Sequence, residues 1–82
     1  MKNTSVNYAN GVLEINYPSH TKICRDIYSA RIALERIIRY RTESESQTDF
    51  WYYSALADMV KDCLDQMVVD YEIQHYLGAA DA

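Results

Sequence analysis

The stretch from Thr48 to Leu77 constrains the fold of this 82-residue chain more than any other part of it. It contains neither glycine nor proline, the two residues that most often interrupt helices, and Gly78 follows it. A helix of this length is about 45 Å long at a rise of 1.5 Å per residue. The sequence therefore predicts one long helix over residues 48–77, against which the remaining elements must pack.

The apolar residues of this predicted helix fall into two stripes. The first has the three- and four-residue spacing of a packed helix face. It consists of Tyr53, Leu56, Ala57, Val60, Cys63, Leu64, Met67 and Tyr71. The second lies beside an acidic arc and consists of Trp51, Ala55, Met59, Val69, Ile73 and Tyr76. A helix packed on one side needs one stripe, so either another element of the chain or a partner must cover the second.

Residues 4–17 predict a two-stranded β-hairpin. Asn10 and Gly11 suit its turn, because both central residues of a type I′ turn need a positive φ. The resulting register places one set of side chains on an apolar face, namely Val6, Tyr8, Leu13, Ile15 and Tyr17, with Thr4 opposite Tyr17. The other face receives Ser5, Asn7, Glu14 and Asn16. An isolated hairpin is marginal in water, so we expect it to lie on the helices.

A basic helix is predicted over residues 18–42. Pro18 suits its first turn, and its core stripe consists of Ile23, Ile27, Ala30, Leu34, Ile37 and Ile38. Residues 43–47 form a polar linker, and either Ser46 with Asp49 or Thr48 caps the next helix. A linker this short makes the two helices antiparallel neighbours, with Leu34 opposite Leu56.

The predicted fold is a single domain, residues 1–82, of the α+β class. An N-terminal two-stranded hairpin precedes a long antiparallel two-helix hairpin, in the order ββαα. The tail at residues 78–82 is expected to fray after Gly78. The apolar residues make up 49% of the chain and the charged residues 24%, as in an ordinary folded domain.

Charge is divided unevenly along the chain, whose net charge is −4. Residues 19–41 carry six basic residues against Asp26 and Glu35, whereas residues 42–82 carry nine carboxylates against Lys61 alone. The basic helix presents Arg25, Arg36, Arg39 and Tyr28 on one side, a combination that can contact nucleic-acid phosphates. A solvated basic face that also attracts the acidic helix is the alternative, and the acidic second half disfavours nucleic acid.

No constellation for catalysis is visible in the sequence. His20 and His75 lack a nucleophile and an orienting carboxylate at helical spacing. In the predicted helix register His20, Cys24 and Cys63 approach one another, but they lack the paired spacing of a zinc site. Buried, unreactive thiols are the simpler interpretation. We therefore expect no enzyme activity, no cofactor and no metal.

The N-terminus is polar and has no apolar leader segment, and no stretch approaches the ~20 apolar residues of a membrane span. Together with the two cysteines, these features favour a cytoplasmic protein with reduced thiols and no membrane contact. In its small size, acidity and lack of motifs, the chain is similar to phage-encoded inhibitors of host enzymes, including anti-CRISPR proteins. That resemblance implies an inhibitor or modulator of a host enzyme complex.

The second stripe of the long helix is the predicted partner-binding site. Apolar residues with aromatic anchors and an acidic border are typical of a protein interface. The predicted site consists of Trp51, Asp58, Met59, Asp62, Asp65, Val69, Ile73 and Tyr76. The partner is expected to be a protein with a basic surface, and a homo-oligomer, specifically a dimer, is a further expectation. Burial of the stripe under the hairpin is the alternative.

Overall fold

Three strands and two helices follow one another in the computed structural model, which describes the backbone of residues 4–80 and the side chains of residues 4–76. They are β1 (Ser5–Ala9), β2 (Val12–Asn16), β3 (Thr21–Cys24), α1 (Ile27–Thr42) and α2 (Gln47–Ala80). The strands form one antiparallel sheet in the order β1-β2-β3. The predicted α+β class is confirmed, but the predicted two-stranded sheet is wrong because a third strand follows the hairpin.

The β1–β2 hairpin forms as the sequence predicts. Asn10 has a φ of 54° and Gly11 a φ of 78°, so both turn residues occupy the left-handed region. The ladder pairs Tyr8 with Leu13 and Val6 with Ile15. It ends at the pair Ser5 and Asn16, so the predicted opposition of Thr4 and Tyr17 lies beyond it.

The segment after Pro18 is the main correction to the predicted fold, because it continues the sheet instead of starting a helix. The backbone N–H of Tyr17 donates to the carbonyl oxygen of His20 at 2.8 Å, which closes a turn around Pro18 and Ser19. The chain then returns as β3 alongside β2, with Thr21 paired with Asn16. Ile23, predicted to lie in the helical core stripe, points away from the helices and is 44% exposed.

Helix α1 begins at Ile27, nine residues later than predicted, because Asp26 supplies its N-cap. The Asp26 side chain accepts a hydrogen bond from the backbone N–H of Ser29 at 2.6 Å. This bond holds the pKa of the Asp26 carboxyl below its usual range. At the other end, Arg39 and Arg41 lie in the last turn, where positive charge favours the helix dipole.

Helix α2 dominates the molecule. Its 34 residues correspond to about 51 Å of helix, and the longest dimension of the molecule is 53 Å. Ser46 accepts a hydrogen bond from the Asp49 backbone N–H at 3.1 Å, which confirms Ser46 as the cap. The predicted end at Leu77 is wrong, because the helix runs through Gly78 to Ala80. A single glycine costs a helix about 1 kcal/mol without ending it, and residues 81 and 82 lie outside the described part.

The core lies where the sheet meets the two helices. Its largest fully buried side chains are Leu13, Ile15, Cys24, Ile37, Leu56 and Val60. The smaller Ala30, Ala33 and Ala57, with Leu64 and Met67, complete it. The predicted apolar face of the hairpin is thus the face that packs on the helices. Ala33 was missed by the sequence prediction, and Ile38, predicted at the core, is 37% exposed.

The shorter α1 changes what covers α2. The helices are antiparallel as predicted, since the ring of Tyr40 near the end of α1 lies 5.6 Å from the ring of Tyr53 near the start of α2. A helix beginning at residue 18 would have reached Tyr71, but α1 begins at Ile27. Tyr71, predicted in the packed stripe, is therefore 56% exposed, and every residue from 71 to 76 is exposed.

We predict that Gly11→Val destabilises the domain by about 1–2 kcal/mol, because a residue with a β-branched side chain resists a positive φ. A Cβ at position 11 would meet no atom within 4 Å, so the cost comes from the backbone alone. Thermal unfolding followed by circular dichroism measures it. Gly11→Asn is the matched control, since asparagine tolerates this conformation. Equal melting temperatures for all three proteins would contradict the turn assignment.

We predict that Leu56→Ala costs about 2–5 kcal/mol of unfolding free energy, because it leaves a cavity at a site that is 1% exposed. Leu34→Ala should cost less, since Leu34 is half-buried. Asp62→Ala should change the stability by no more than about 0.5 kcal/mol, because Asp62 is exposed on the same helix as Leu56. Urea unfolding of the three variants gives these values, and a similar loss for Leu56 and Asp62 would mean that α2 packs through a different face.

Candidate protein-binding site

The predicted site residues share one side of α2, here called the α2 outer face. This face consists of Trp51, Asp58, Met59, Asp62, Asp65, Val69, Ile73 and Tyr76, and all eight are exposed. Ala55, which belongs to the same predicted stripe, is half-buried. The sheet lies on another side of α2 and leaves this face open. The alternative in which the hairpin covers the second stripe is therefore wrong.

Helical geometry divides the α2 outer face into three parts. Trp51 lies near its N-terminal end and Val69 about 27 Å further along the axis. Between them lie Asp58, Asp62 and Asp65. The predicted stripe is thus not a continuous apolar surface. It is a pair of apolar ends separated by an acidic centre, with Met59 at the border.

The N-terminal end includes a residue that the sequence prediction missed. Phe50 is 42% exposed, and its ring meets the ring of Trp51 edge to face, with the centroids 5.9 Å apart. Trp51 itself is 61% exposed. Phe50 lies outside the helical spacing of the second stripe, but its adjacency to Trp51 in the sequence was a usable signal. Two adjacent exposed aromatic rings form an anchor of the kind that carries binding energy in protein interfaces.

The C-terminal end of the face presents three exposed apolar side chains. Val69, Ile73 and Tyr76 are 46%, 51% and 79% exposed. Together with Glu72 they line a shallow depression of about 360 Å³ that opens to solvent. On the other side of the same helical segment, the rings of Tyr71 and His75 stack with their centroids 5.6 Å apart. This end therefore offers apolar side chains next to a carboxylate.

Two polar contacts with β1 and the residue before it hold α2 in this orientation. The Tyr8 hydroxyl donates to Oδ2 of Asp70 at 2.6 Å, and Gln66 Nε2 donates to Oδ1 of the same carboxylate at 3.0 Å. Nearer the N-terminus of α2, the hydroxyls of Thr4 and Tyr52 lie 2.5 Å apart. Asp70 and Tyr52 lie on one side of α2, about a quarter turn from the α2 outer face. The contacts therefore turn the outer face away from the sheet.

The Tyr8–Asp70 contact also affects the ionisation of Tyr8. The hydrogen bond to the Asp70 carboxylate is the largest cause that raises the pKa of Tyr8, and partial burial and the negative charge of Asp70 act in the same direction. A neutral tyrosine hydroxyl can donate to a carboxylate, whereas a phenolate would repel it. The contact is therefore favoured while the Tyr8 hydroxyl is protonated, and ionisation of Tyr8 would break it.

The alternative nucleic-acid face is only partly assembled. Tyr28, Arg36 and Arg39 lie on α1 and are exposed, Tyr28 by 74%. Arg25 was predicted on the same helical face, but it lies in the connection between β3 and α1. There it borders a depression of about 380 Å³ on the outer side of the sheet, next to Glu14 and Ile23. The four predicted residues therefore do not form one helical surface.

Both cysteines take part in the packing of the domain. Cys24 is buried in β3, and its thiol donates to the carbonyl oxygen of Ser29 at 3.7 Å. Cys63 is half-buried on α2, and both thiols are free. Burial is the main cause that raises the pKa of each thiol, so both stay protonated and poorly nucleophilic. The helix register that brought Cys24 toward Cys63 does not apply, because Cys24 lies on a strand.

Within the described residues, no group of three or more His, Cys, Asp or Glu side chains is arranged to hold a metal ion. His20 instead stacks on Tyr17, with the ring centroids 4.7 Å apart. In the same part of the chain, neither helix is apolar enough over a sufficient length to cross a membrane.

Comparison of the chain with protein-family models, with curated proteins and with solved structures found no match. Only the arrangement of the side chains therefore points to a function.

We predict that Tyr8→Phe lowers the free energy of unfolding by about 1 kcal/mol at neutral pH, because Asp70 loses a hydrogen-bond donor. The raised pKa of Tyr8 means that its contribution is fully present below the ordinary value of 10.0 and is lost as the pH rises through the raised value. The difference between wild type and Tyr8→Phe should therefore shrink at alkaline pH.

Denaturant unfolding at neutral and alkaline pH tests this prediction. Tyr28→Phe is the matched control, because the Tyr28 side chain is exposed on α1. A Tyr8→Phe protein with the stability of the control at neutral pH would show that the contact does not hold α2 to the sheet.

Proposed function

We propose that this chain is a non-enzymatic protein that acts by binding another protein through the α2 outer face. One observation carries the proposal: Trp51, Val69, Ile73 and Tyr76 are between 46% and 79% exposed on one side of a single helix. Large exposed apolar side chains gathered at the two ends of one face of a small domain are typical of an interaction surface. Covering them removes apolar area from water at about 25 cal/mol per Å².

The acidic centre of the face supports a basic partner. Asp58, Asp62 and Asp65 lie between the two apolar ends and are exposed. An acidic patch steers a basic surface during encounter and repels an acidic one. The proposed partner is therefore a protein with a basic surface. Its apolar contacts are spread over about 38 Å, the distance from Trp51 to Tyr76 along the helix.

The finer proposal is that binding inhibits or modulates a host enzyme complex, as small phage-encoded inhibitors do. Its support is that the chain is short and acidic, that α2 exposes apolar side chains, and that the Cys24 and Cys63 thiols are protonated. We further propose that the protein acts in the cytoplasm, because free thiols such as Cys24 and Cys63 suit a reducing compartment.

A nucleic-acid-associated regulator is the second candidate. Its support is the exposed set Tyr28, Arg36 and Arg39 on α1, since arginine and tyrosine side chains bind phosphates and stack on bases. Salt-dependent retention on heparin or DNA, reduced by Arg36→Glu, would favour this function over protein binding.

We predict that Val69→Arg combined with Ile73→Arg weakens partner binding at least about tenfold, because two apolar contacts are replaced by charges. The melting temperature should stay near that of the wild type, since both side chains are already about half exposed. Wild-type and variant proteins, each immobilised, are incubated with host lysate, and the retained proteins are compared by quantitative mass spectrometry. The partner is the protein that the wild type retains and the double variant loses.

Two controls make the comparison specific. Ile38→Arg adds a positive charge at an exposed apolar position of α1, away from the face, and should retain the partner. Arg36→Glu should also retain it, because Arg36 lies on α1. If the double variant retains every protein that the wild type retains, the α2 outer face is not the binding site. If it unfolds instead, the face is part of the core and the proposal is wrong.

A further inference from the structure

The two lateral edges of the helix pair carry opposite charges. The α2 outer face has Asp58, Asp62 and Asp65 at its centre. The side of α1 that is turned away from the core, here called the α1 outer face, consists of Tyr28, Arg31, Glu35, Arg36 and Arg39, all exposed. Three guanidinium groups thus outnumber one carboxylate on this edge. Each molecule presents a basic edge and an acidic edge, and the two are complementary.

The open edges of the sheet lie above the same two sides of the molecule. β1 lies on α2, where Tyr8 binds Asp70. β3 lies beside α1, where the Cys24 thiol binds the Ser29 carbonyl. Within the described part of the chain, β1 and β3 each pair with β2 alone. The outer edge of each strand is therefore available for contact with another strand.

We propose that a second copy of this chain is a partner of the α2 outer face, docked side by side and head to tail. The α1 outer face of one copy packs on the α2 outer face of the next, and the β3 edge of the first is turned toward the β1 edge of the second. This inference rests on the proposed function, because it uses the same face of α2. It names one basic surface that fits this face.

The spacing of the charges supports this arrangement. Because α1 and α2 are antiparallel within one molecule, side-by-side translation also makes α1 antiparallel to α2 of the next copy. Arg36 and Arg39 are three residues apart, as are Asp62 and Asp65. One register therefore places Arg36 opposite Asp65 and Arg39 opposite Asp62. The same register places Tyr28 opposite Ile73, within the apolar C-terminal end of the face.

A symmetric dimer of two α2 outer faces fits the charges less well. In full overlap, parallel or antiparallel, such a dimer sets the centre of one face against the centre of the other. Asp58, Asp62 and Asp65 of one copy would then face the same carboxylates of the second copy, and like charges in an interface are repulsive. A head-to-tail contact avoids this repulsion. Because its two surfaces differ, it leaves one of each free and extends into chains or rings.

Charge-reversal variants test the arrangement. Asp62→Lys with Asp65→Lys makes the α2 outer face basic, and Arg36→Glu with Arg39→Glu makes the α1 outer face acidic. All four side chains are exposed, so each double variant should keep the wild-type circular dichroism spectrum. If a double variant fails to fold, Asp62→Lys and Arg36→Glu replace the pairs. Sedimentation velocity at rising protein concentration measures association.

We predict that the wild type associates more strongly as its concentration rises, and that association weakens roughly tenfold when salt screens the exposed charges. Each double variant alone should stay monomeric, because both of its edges then carry the same sign. An equimolar mixture of the two double variants should associate again, since each acidic edge then meets a basic one. Restoration by mixing is specific to contact between these two unlike faces.

Three other results would contradict this arrangement. A wild type that stays monomeric at millimolar concentration and low salt overturns self-association, while the lysate experiment with Val69→Arg and Ile73→Arg still tests binding to a different protein. If both double variants associate as the wild type does, the copies meet through another surface. If the variants stay monomeric and the mixture does not associate, the head-to-tail pairing is wrong.

Discussion

The contact of the sheet with both helices is the interaction on which the rest of the structure depends. Leu13 and Ile15 of β2 are fully buried against a core to which Ile37 of α1 and Val60 of α2 contribute. A three-stranded sheet of four- and five-residue strands has little stability by itself, and a helix of 16 residues is marginal in water. Each element is therefore folded because the others cover its apolar side.

The unequal lengths of α1 and α2 determine how much of α2 lies against the rest of the domain. The core uses the middle of α2, from Leu56 to Met67, because α1 is less than half as long as α2. The hydrogen bond between Tyr8 and Asp70 extends the contact with the sheet slightly further. Trp51, Val69, Ile73 and Tyr76 lie outside this contact and are between 46% and 79% exposed. The candidate binding face lies on the side of α2 opposite the core, which neither α1 nor the sheet covers.

The sequence predicted the locally determined parts of this structure. The Asn10–Gly11 turn requires a backbone conformation that few other residue pairs adopt, and it set the strand register without reference to the rest of the chain. The Ser46 cap and the packed stripe of α2 were likewise visible in residue types and spacing. All of these signals lie within about ten residues of the feature that they define.

The missed parts depend on competition between elements. Ile23 and Ile27 are four residues apart, as in a helix, yet Ile23 lies in a strand. Short apolar runs fit both structures, and pairing with β2 decided the outcome. The Asp26 cap was the available signal for the helix start. Whether the second stripe of α2 would be exposed to solvent depended on which side of the helix the sheet packs against, which is a property of the whole fold.

The uncovered end of α2 has a further consequence for the energetics of recognition. Backbone hydrogen bonds between residues 71 and 76 are formed in a segment whose side chains are all exposed. Such a segment opens at a fraction of the global unfolding free energy, because it makes few contacts with the core. A protein that binds at Trp51 contacts a helix that the core already orders. A protein that binds at Tyr76 must also order the end of the helix, which costs conformational entropy.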